Sequence, residues 1–465
     1  MKKIPRPTFR KIFHLYSEAF LITATLLLSL SSLADDTRIP VEFEKDERVP
    51  LVYLNLVVNG GSVHDPKNKE GLTQLMGEMM LRGTSLRSKS EIDLTLDDLG
   101  ASLAVETRAE AFIVRGAVLS SELEPFLELI EEITTTPRFD ERELKKLKEE
   151  LNAVLLSEMG RDATIAAKKF TQFLFSDSHP YGAPINGTRT SIANISRDDL
   201  IRHHQAFFQR ANLSLIALGD ASERSLQAFA TKLSRRLPGD KVLTQVQTPN
   251  PPRGRRVLLI DKPERTQTQI LGGQLGVTLD HPDYFPLYLG NFAFGGGSFN
   301  SRMMQEIRVK RGWSYGAYSS FRHGREPRSW TFSLAPASQD CISAAKLSLE
   351  LIDSLKKDGI TEAEYQTARE SLINSSAFLY NTPQKRAENR ILEVTLGLKP
   401  GFMELYQKEL QNTSLARVNQ ALNRYLQPDT MTLALLGDSK QLKPQVIQKL
   451  GVEAAQITTV AYDKD

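Results

Sequence analysis

Gln74 and Glu78 stand four residues apart in the stretch Gly71 to Thr84, GLTQLMGEMMLRGT. On a helix that spacing puts both side chains on one face, where an amide oxygen and a carboxylate could approach a common cation. A catalytic zinc site asks for more: three protein ligands and an open position for water. The histidines do not complete one. His203 and His204 are adjacent, so on a helix they point about 100° apart. His64 falls in a loop after a strand pattern, and His179 precedes Pro180 in an HPYG turn. A second group is Arg308 and Tyr315, seven residues apart. A guanidinium and a phenol hydroxyl are donors suited to a peptide carbonyl, or to the oxyanion it becomes. Gly295-Gly296-Gly297 lies upstream of them without the continuation of a phosphate loop. It reads as a tight turn that lets backbone approach closely.

The elements that must position these groups repeat along the chain. The segment NISRDDLIRHHQAFFQRANLSLIALGDAS begins at Asn194, and NTSLARVNQALNRYLQPDTMTLALLGDS begins at Asn412. At one constant offset Ser196 meets Ser414, Phe207 meets Tyr425, and Gly219-Asp220 meets Gly437-Asp438. Each copy predicts a helix capped by serine, then a strand ending in Gly-Asp. FDERELKKLKEEL from Phe139 and ITEAEYQTARESL from Ile360 form a second pair in the same order. Two such pairs point to an internal duplication. Thr244 to Gly254, with three prolines, predicts a linker between the copies. Each half opens with a strand, Leu51 to Asn59 or Gln267 to Thr278, and continues with helices and strands lacking a βαβ rhythm. That argues for α+β halves with antiparallel sheet. In the second half, Ser301 to Arg311 reads as a helix, Gly312 breaks it, and Ser314 to Phe321 reads as a strand.

At 465 residues, two or more domains are expected. A net charge of +3 gives no reason to expect nucleic acid as a partner. Lys2, Lys3, Arg6, Arg10 and Lys11 precede an apolar run, Ala19 to Leu33, and Ser32-Leu33-Ala34 fits a small-x-small cleavage site. The run is shorter than the ~20 residues a spanning helix needs, which favours a cleaved signal over an uncleaved anchor. The expected division is therefore a signal peptide over 1–34, a first domain over 35–243, a linker over 244–254 and a second domain over 255–465. Cys341 is the only cysteine, so no internal disulfide can form.

The first half resembles the insulinase/pitrilysin-type zinc peptidases, which include the mitochondrial processing peptidases. The residues that carry this are LVYLNLVVNGGSVHDP, EGLTQLMGEMMLRGT and HPYG from His179. The second half carries GGGSFNSRMMQEIRVKRGWSYGAYSS from Gly295. The family's active helix reads H-x-x-E-H, with two zinc-binding histidines and a glutamate that polarises water. Here those positions are Gln74, Gly77 and Glu78. A third ligand would fall near Val154 and Leu155, where Glu149, Glu150 and Glu158 are close but out of register.

The resemblance implies an α+β fold repeated in one chain, forming half of a clamshell chamber. It also implies that Arg308 and Tyr315 match a pair which, in zinc-free subunits, holds substrate near the metal of a partner. The expectation is a periplasmic, non-catalytic subunit with no metal of its own. It would pair with a zinc-bearing homologue and act on unfolded or short peptides. Two alternatives stand beside it: a peptide-binding or scaffolding protein with no role in hydrolysis, and an active zinc peptidase with rearranged ligands. Arg302, Lys310 and Arg311 are expected to make a basic wall around the Arg308 site.

Overall fold

The computed structural model describes residues 38–176, 179–239, 241–297 and 299–464. The signal peptide expected over 1–34 lies outside them. Among the described residues, no helix is long and apolar enough to cross a membrane.

The first half runs β1 (Val41–Lys45), β2 (Leu51–Val58), α1 (Leu72–Met80), α2 (Lys89–Asp98), β3 (Ser102–Thr107) and β4 (Phe112–Leu119). Then come α3 (Leu123–Thr135), α4 (Glu141–Glu158), α5 (Asp162–Phe175), α6 (Arg189–Asn194), α7 (Arg197–Phe207), β5 (Leu213–Gly219) and α8 (Glu223–Arg236). The second half goes through the same succession. It has β6 (Arg256–Asp261), β7 (Gln269–Leu275), α9 (Tyr284–Asn291), a wide turn of π-helix over Met304–Val309, β8 (Ala317–Phe321) and β9 (Ser329–Leu334). It continues with α10 (Cys341–Asp358), α11 (Glu362–Ser376), α12 (Pro383–Leu396), α13 (Tyr406–Asn412), α14 (Leu415–Tyr425), β10 (Thr432–Gly437) and α15 (Ser439–Leu450). A last strand, β11 (Ile457–Ala461), has no counterpart among the described residues of the first half.

The local reasons for the helices are plain. Asp140 caps α4 and Thr361 caps α11 by accepting first-turn N–H groups. Ser196 and Ser414 do the same for α7 and α14, and each such cap contributes about 1 kcal/mol.

The strand orders are β1-β5-β2-β4-β3 and β11-β6-β10-β7-β9-β8. With β11 set aside, every strand of the first sheet has a partner of the same place and direction in the second. Both sheets are mixed, and this corrects the antiparallel expectation: β1 runs parallel to β5, and β6 parallel to β10 and β11. Each half also opens one strand earlier than expected, with β1 and β6. β2 lies between β5 and β4, so it offers no edge to a peptide. The free edges near the candidate site residues are β3 and β8.

Each half lends one helix to the other. Ile165, Ala166, Phe170 and Leu174 of α5 pack with Leu258 and Ile260 of β6 and Ala434 and Leu436 of β10. Ala387 and Ile391 of α12 pack with Val57, Ile113, Ile216 and Leu218 of the first sheet. Each large apolar side chain so covered contributes about 1.5–3 kcal/mol. Ion pairs follow the exchanged helices. Arg386 of α12 meets Glu44 at 2.6 Å and Asp46 at 2.8 Å, and Lys262 meets Asp162 at the start of α5 at 2.7 Å. Residues 244–254 carry no helix or strand. They are fastened by His64 Nε2 to the Thr244 carbonyl at 2.8 Å and by His179 Nε2 to the Gln247 carbonyl at 2.9 Å.

Candidate functional site

Helix α1 starts from Gly71 in a left-handed conformation, φ 91°. A side chain there would be strained and would press on Ile192 Cδ1. The buried Asp65 carboxylate holds the first turn. It accepts from Gly71 N–H at 2.8 Å, Thr73 N–H at 2.9 Å and the Thr73 hydroxyl at 2.5 Å. Behind it, His203 Nε2 lies 2.8 Å from Thr73 Oγ1. With the hydroxyl proton given to Asp65, the imidazole is the donor in that contact.

One turn on, Gln74 Nε2 donates to Glu78 Oε1 at 3.1 Å. Both side chains are half-buried. Burial raises the Glu78 carboxyl, Arg82 opposes the rise and Glu150 adds to it. Arg82 reaches across to α4, with Nη2 2.5 Å from Glu150 and Nη1 3.6 Å from Glu143. The positive charge where α1 meets α4 is thus a guanidinium of the chain itself. Glu149 is exposed, and Glu158 faces Arg161 at 3.8 Å.

Gly77 is packed, not merely small. A β-carbon there would stand 2.9 Å from Phe112 Cζ, closer still to Cε2, and 3.3 Å from Val105 Cγ2. Phe112 is fully buried. Among the described residues, no group of three or more His, Cys, Asp or Glu could hold a metal ion. The residues present do not fit a catalytic zinc. The two ligand positions bond each other, the base position is filled by the Phe112 ring, and the neighbouring carboxylate is neutralised by Arg82.

The histidines serve the core. Burial pushes His203 down to about 3, His204 to about 4 and His323 to about 4. The unfolded chain takes up these three protons below the ordinary value of 6.5, and the folded chain does not. Their contribution to stability is therefore complete above pH 6.5 and lost as pH falls toward 4. Asp65 acts oppositely. Burial raises it to about 7, so its contribution is complete below pH 3.8 and lost as pH rises through 7. Glu42 and Glu78, raised by burial to a smaller extent, act with Asp65. The three large histidine shifts outweigh them, and each unmatched proton gives a slope of about 1.4 kcal/mol per pH unit. Urea unfolding is expected to show stability climbing between pH 4 and 6.5, with a flatter climb in His204→Gln. A midpoint that does not move with pH over that range would refute this assignment.

The second group sits after the glycine run. Phe292–Gly296 and Met304–Val309 are both π-helical turns, a form frequent at functional sites. This replaces the ordinary helix expected over 301–311, and β8 starts at Ala317 rather than at Ser314. Gly295 lets the turn press on β8, since a β-carbon there would stand 2.6 Å from Ser319 Oγ. Asn291 fastens the turn by accepting from Ser319 Oγ and Trp330 Nε1, both at 2.7 Å. Gly312, φ 65°, then turns the chain back.

The outcome is contact between Arg308 and Tyr315. The guanidinium carbon stands 4.4 Å from the Tyr315 ring centroid and 4.6 Å from that of Phe299. Tyr315 is 83% exposed and Phe299 54%. Arg302 is bound to Glu364, and Lys310 and Arg311 share Glu306. The expected basic wall is therefore largely neutralised.

Gln74 joins Glu78 on the first half, and Arg308 joins Tyr315 on the second. Phe112, Arg82, Asn291 and Phe299 were not singled out from the sequence. Arg82 carried a readable signal, being one helical turn beyond Glu78. Phe299 carried another, as an aromatic residue two positions after Gly295-Gly296-Gly297. Phe112 and Asn291 act through contacts between distant segments, which no local pattern marks.

Residues 40–167 match the insulinase family, peptidase family M16, and residues 194–372 match the peptidase M16 inactive domain. A Helicobacter pylori protein described as a non-peptidase homolog, YmxG, is 22% identical over 410 residues, 88% of this chain and 94% of that protein. A Bacillus subtilis protein described as an uncharacterized zinc protease, YmxG, is 24% identical over 86% of this chain and 96% of its own length. Among solved structures, a peptidase M16 inactive domain from Pseudomonas fluorescens superposes with TM-score 0.81 at 25% identity, over 86% of this chain and 96% of that one. The periplasmic protease PqqL of Escherichia coli shares the fold, with TM-score 0.72 at 15% identity, over 84% of this chain but 43% of PqqL.

Proposed function

Because the chain belongs to the insulinase/pitrilysin peptidase family, M16, as a catalytically inactive homologue, we propose that it is the non-catalytic subunit of a two-chain peptidase. It pairs with a homologue that bears zinc on an H-x-x-E-H helix and supplies Arg308 and Tyr315 to the shared chamber. The observation that carries this reading is the contact of an exposed tyrosine with an arginine that has no acid partner among the described residues, in a chain whose own metal positions are closed. A protein with only a scaffolding role has no use for such a pair.

The matched strand orders and helix successions support an internal duplication, with domains over 35–243 and 255–465. The chain's match to less than half of PqqL supports one half of a clamshell, with a second chain completing it. The chamber would admit short or unfolded peptides, whose backbone carbonyls suit the two donors. The basic residues, apolar run and Ala34 before Asp35 support export to the periplasm and cleavage of the signal. The family-typical zinc belongs to the partner.

A second reading, a peptide-binding protein without part in hydrolysis, draws on the Helicobacter relative described as a non-peptidase homolog. Isolation of the native chain tests the first reading. A stoichiometric second chain carrying H-x-x-E-H is expected to copurify. A homogeneous preparation of this chain alone, from cells that express such a homologue, would overturn it.

A further inference from the structure

Four cations stand between residues 302 and 311, and three of them are paired to two carboxylates. Arg302 makes paired bonds to Glu364, at 2.8 and 2.7 Å, and a third to the Gly359 carbonyl. Lys310 and Arg311 both bond Glu306, at 2.5 and 2.8 Å. Arg308 alone has no acceptor among the described residues, and its neighbours are rings. Phe299 and Tyr315 each lie within 4.6 Å of its guanidinium carbon. Both rings therefore lie against the cation.

From this geometry we infer that Phe299, Arg308 and Tyr315 form a clamp for a carboxylate of the bound peptide, either its C-terminus or an Asp or Glu side chain. The inference rests on the peptide-binding part of the proposed function and names the chemistry of the ligand. Rings flanking a guanidinium hold it by cation–π attraction and restrict its rotation. The N–H fork is what remains free for bonding. A planar carboxylate accepts two parallel bonds from that fork, whereas a lone carbonyl oxygen cannot match it. The unbalanced charge of the segment draws the same class of ligand. Glu306 and Glu364 are already engaged by Arg302, Lys310 and Arg311, so neither is taken up by Arg308.

The test is fluorescence-polarisation binding to the purified full-length mature chain, without any partner. An unstructured decapeptide is used in three forms: neutral side chains with a free C-terminus, the same peptide amidated, and the amidated peptide with one Glu. A carboxylate form is expected to bind about 10- to 100-fold more tightly than the fully neutral form, the range for charge-assisted bidentate bonds. Which form gains identifies the source of the carboxylate. Arg308→Gln should abolish the difference. Arg308→Lys, which keeps the charge but not the fork, should lose most of it. Phe299→Ala should reduce it and Tyr315→Phe should keep it. Thermal melts check that each variant is folded.

Equal affinity for all three forms would overturn the clamp while leaving peptide binding intact. A preference that survives Arg308→Gln would overturn the assignment to Arg308. Absence of binding to every form would overturn the clamp and the peptide-binding reading together.

Discussion

Rebuilding the zinc motif by Gln74→His, Gly77→Glu and Glu78→His is expected to destabilise the first half and to yield no zinc site. Gly77 decides the result. Its backbone is helical, so alanine there would gain up to about 1 kcal/mol of helix propensity. Against that, the β-carbon must displace the buried Phe112 ring, and overpacking costs about 1–3 kcal/mol. Gly77→Ala should therefore be destabilising on balance. Glutamate adds a longer chain and a charge in the same apolar space. The expected loss exceeds about 4 kcal/mol, against a total stability of about 5–15. Urea midpoints of the single variants measure this. The double variant Gly77→Ala, Phe112→Leu should recover part of what Gly77→Ala loses, because the clash and its relief share one contact. Near-normal stability in Gly77→Glu, or one tightly bound zinc in the triple variant, would show that the Phe112 packing does not close the site.

The second large effect is expected in the assembled peptidase. Arg308→Ala should lower kcat/KM of the pair by about 10²-fold, most of it in KM, because the group is placed to hold ligand rather than to meet developing charge. Tyr315→Phe removes only the hydroxyl and should cost less. If either group instead reached the oxyanion, the loss would move into kcat and approach about 10²–10³-fold. Stability should change little, since Tyr315 is exposed and the Arg308 guanidinium has no hydrogen bond or ion pair among the described residues, only the rings beside it. The measurement is kinetics of the reconstituted pair, with pairing confirmed by size-exclusion chromatography. Wild-type kinetics in both variants would leave the non-hydrolytic reading as the better one.

What could be read from the chain alone follows the range of the interactions. Caps and helical period act over a few residues, and Asp140, Ser196, Thr361 and Ser414 mark helix starts that the structure contains. Their ordered recurrence announced two similar halves. The neighbours of a strand are set by distant segments, so neither the central place of β2 nor the parallel pairing of β1 with β5 and of β6 with β10 was legible. The π-helical turn that carries Arg308 depends on tertiary contact as well: Met304 sulfur accepts Ala317 N–H at 3.3 Å. Gly77 shows the same divide. In the sequence it is the loss of a base. In the structure it is the seat of a ring from a strand that arrives later. The arginine and tyrosine were legible through a family pattern, while the ring of Phe299 beside them needed three dimensions.

The exchange of α5 and α12 governs how this protein comes into being. The first sheet is synthesised well before α12, the helix that covers its apolar residues Val57, Ile113, Ile216 and Leu218. Until that helix emerges, the nascent first half exposes a sticky face, and α5 has no surface to rest on. Folding cannot finish half by half in the order of synthesis. Completion of the two halves is therefore expected to be mutually dependent, and a chain truncated before Pro383 is expected to be more open to proteolysis than a smaller working module would be.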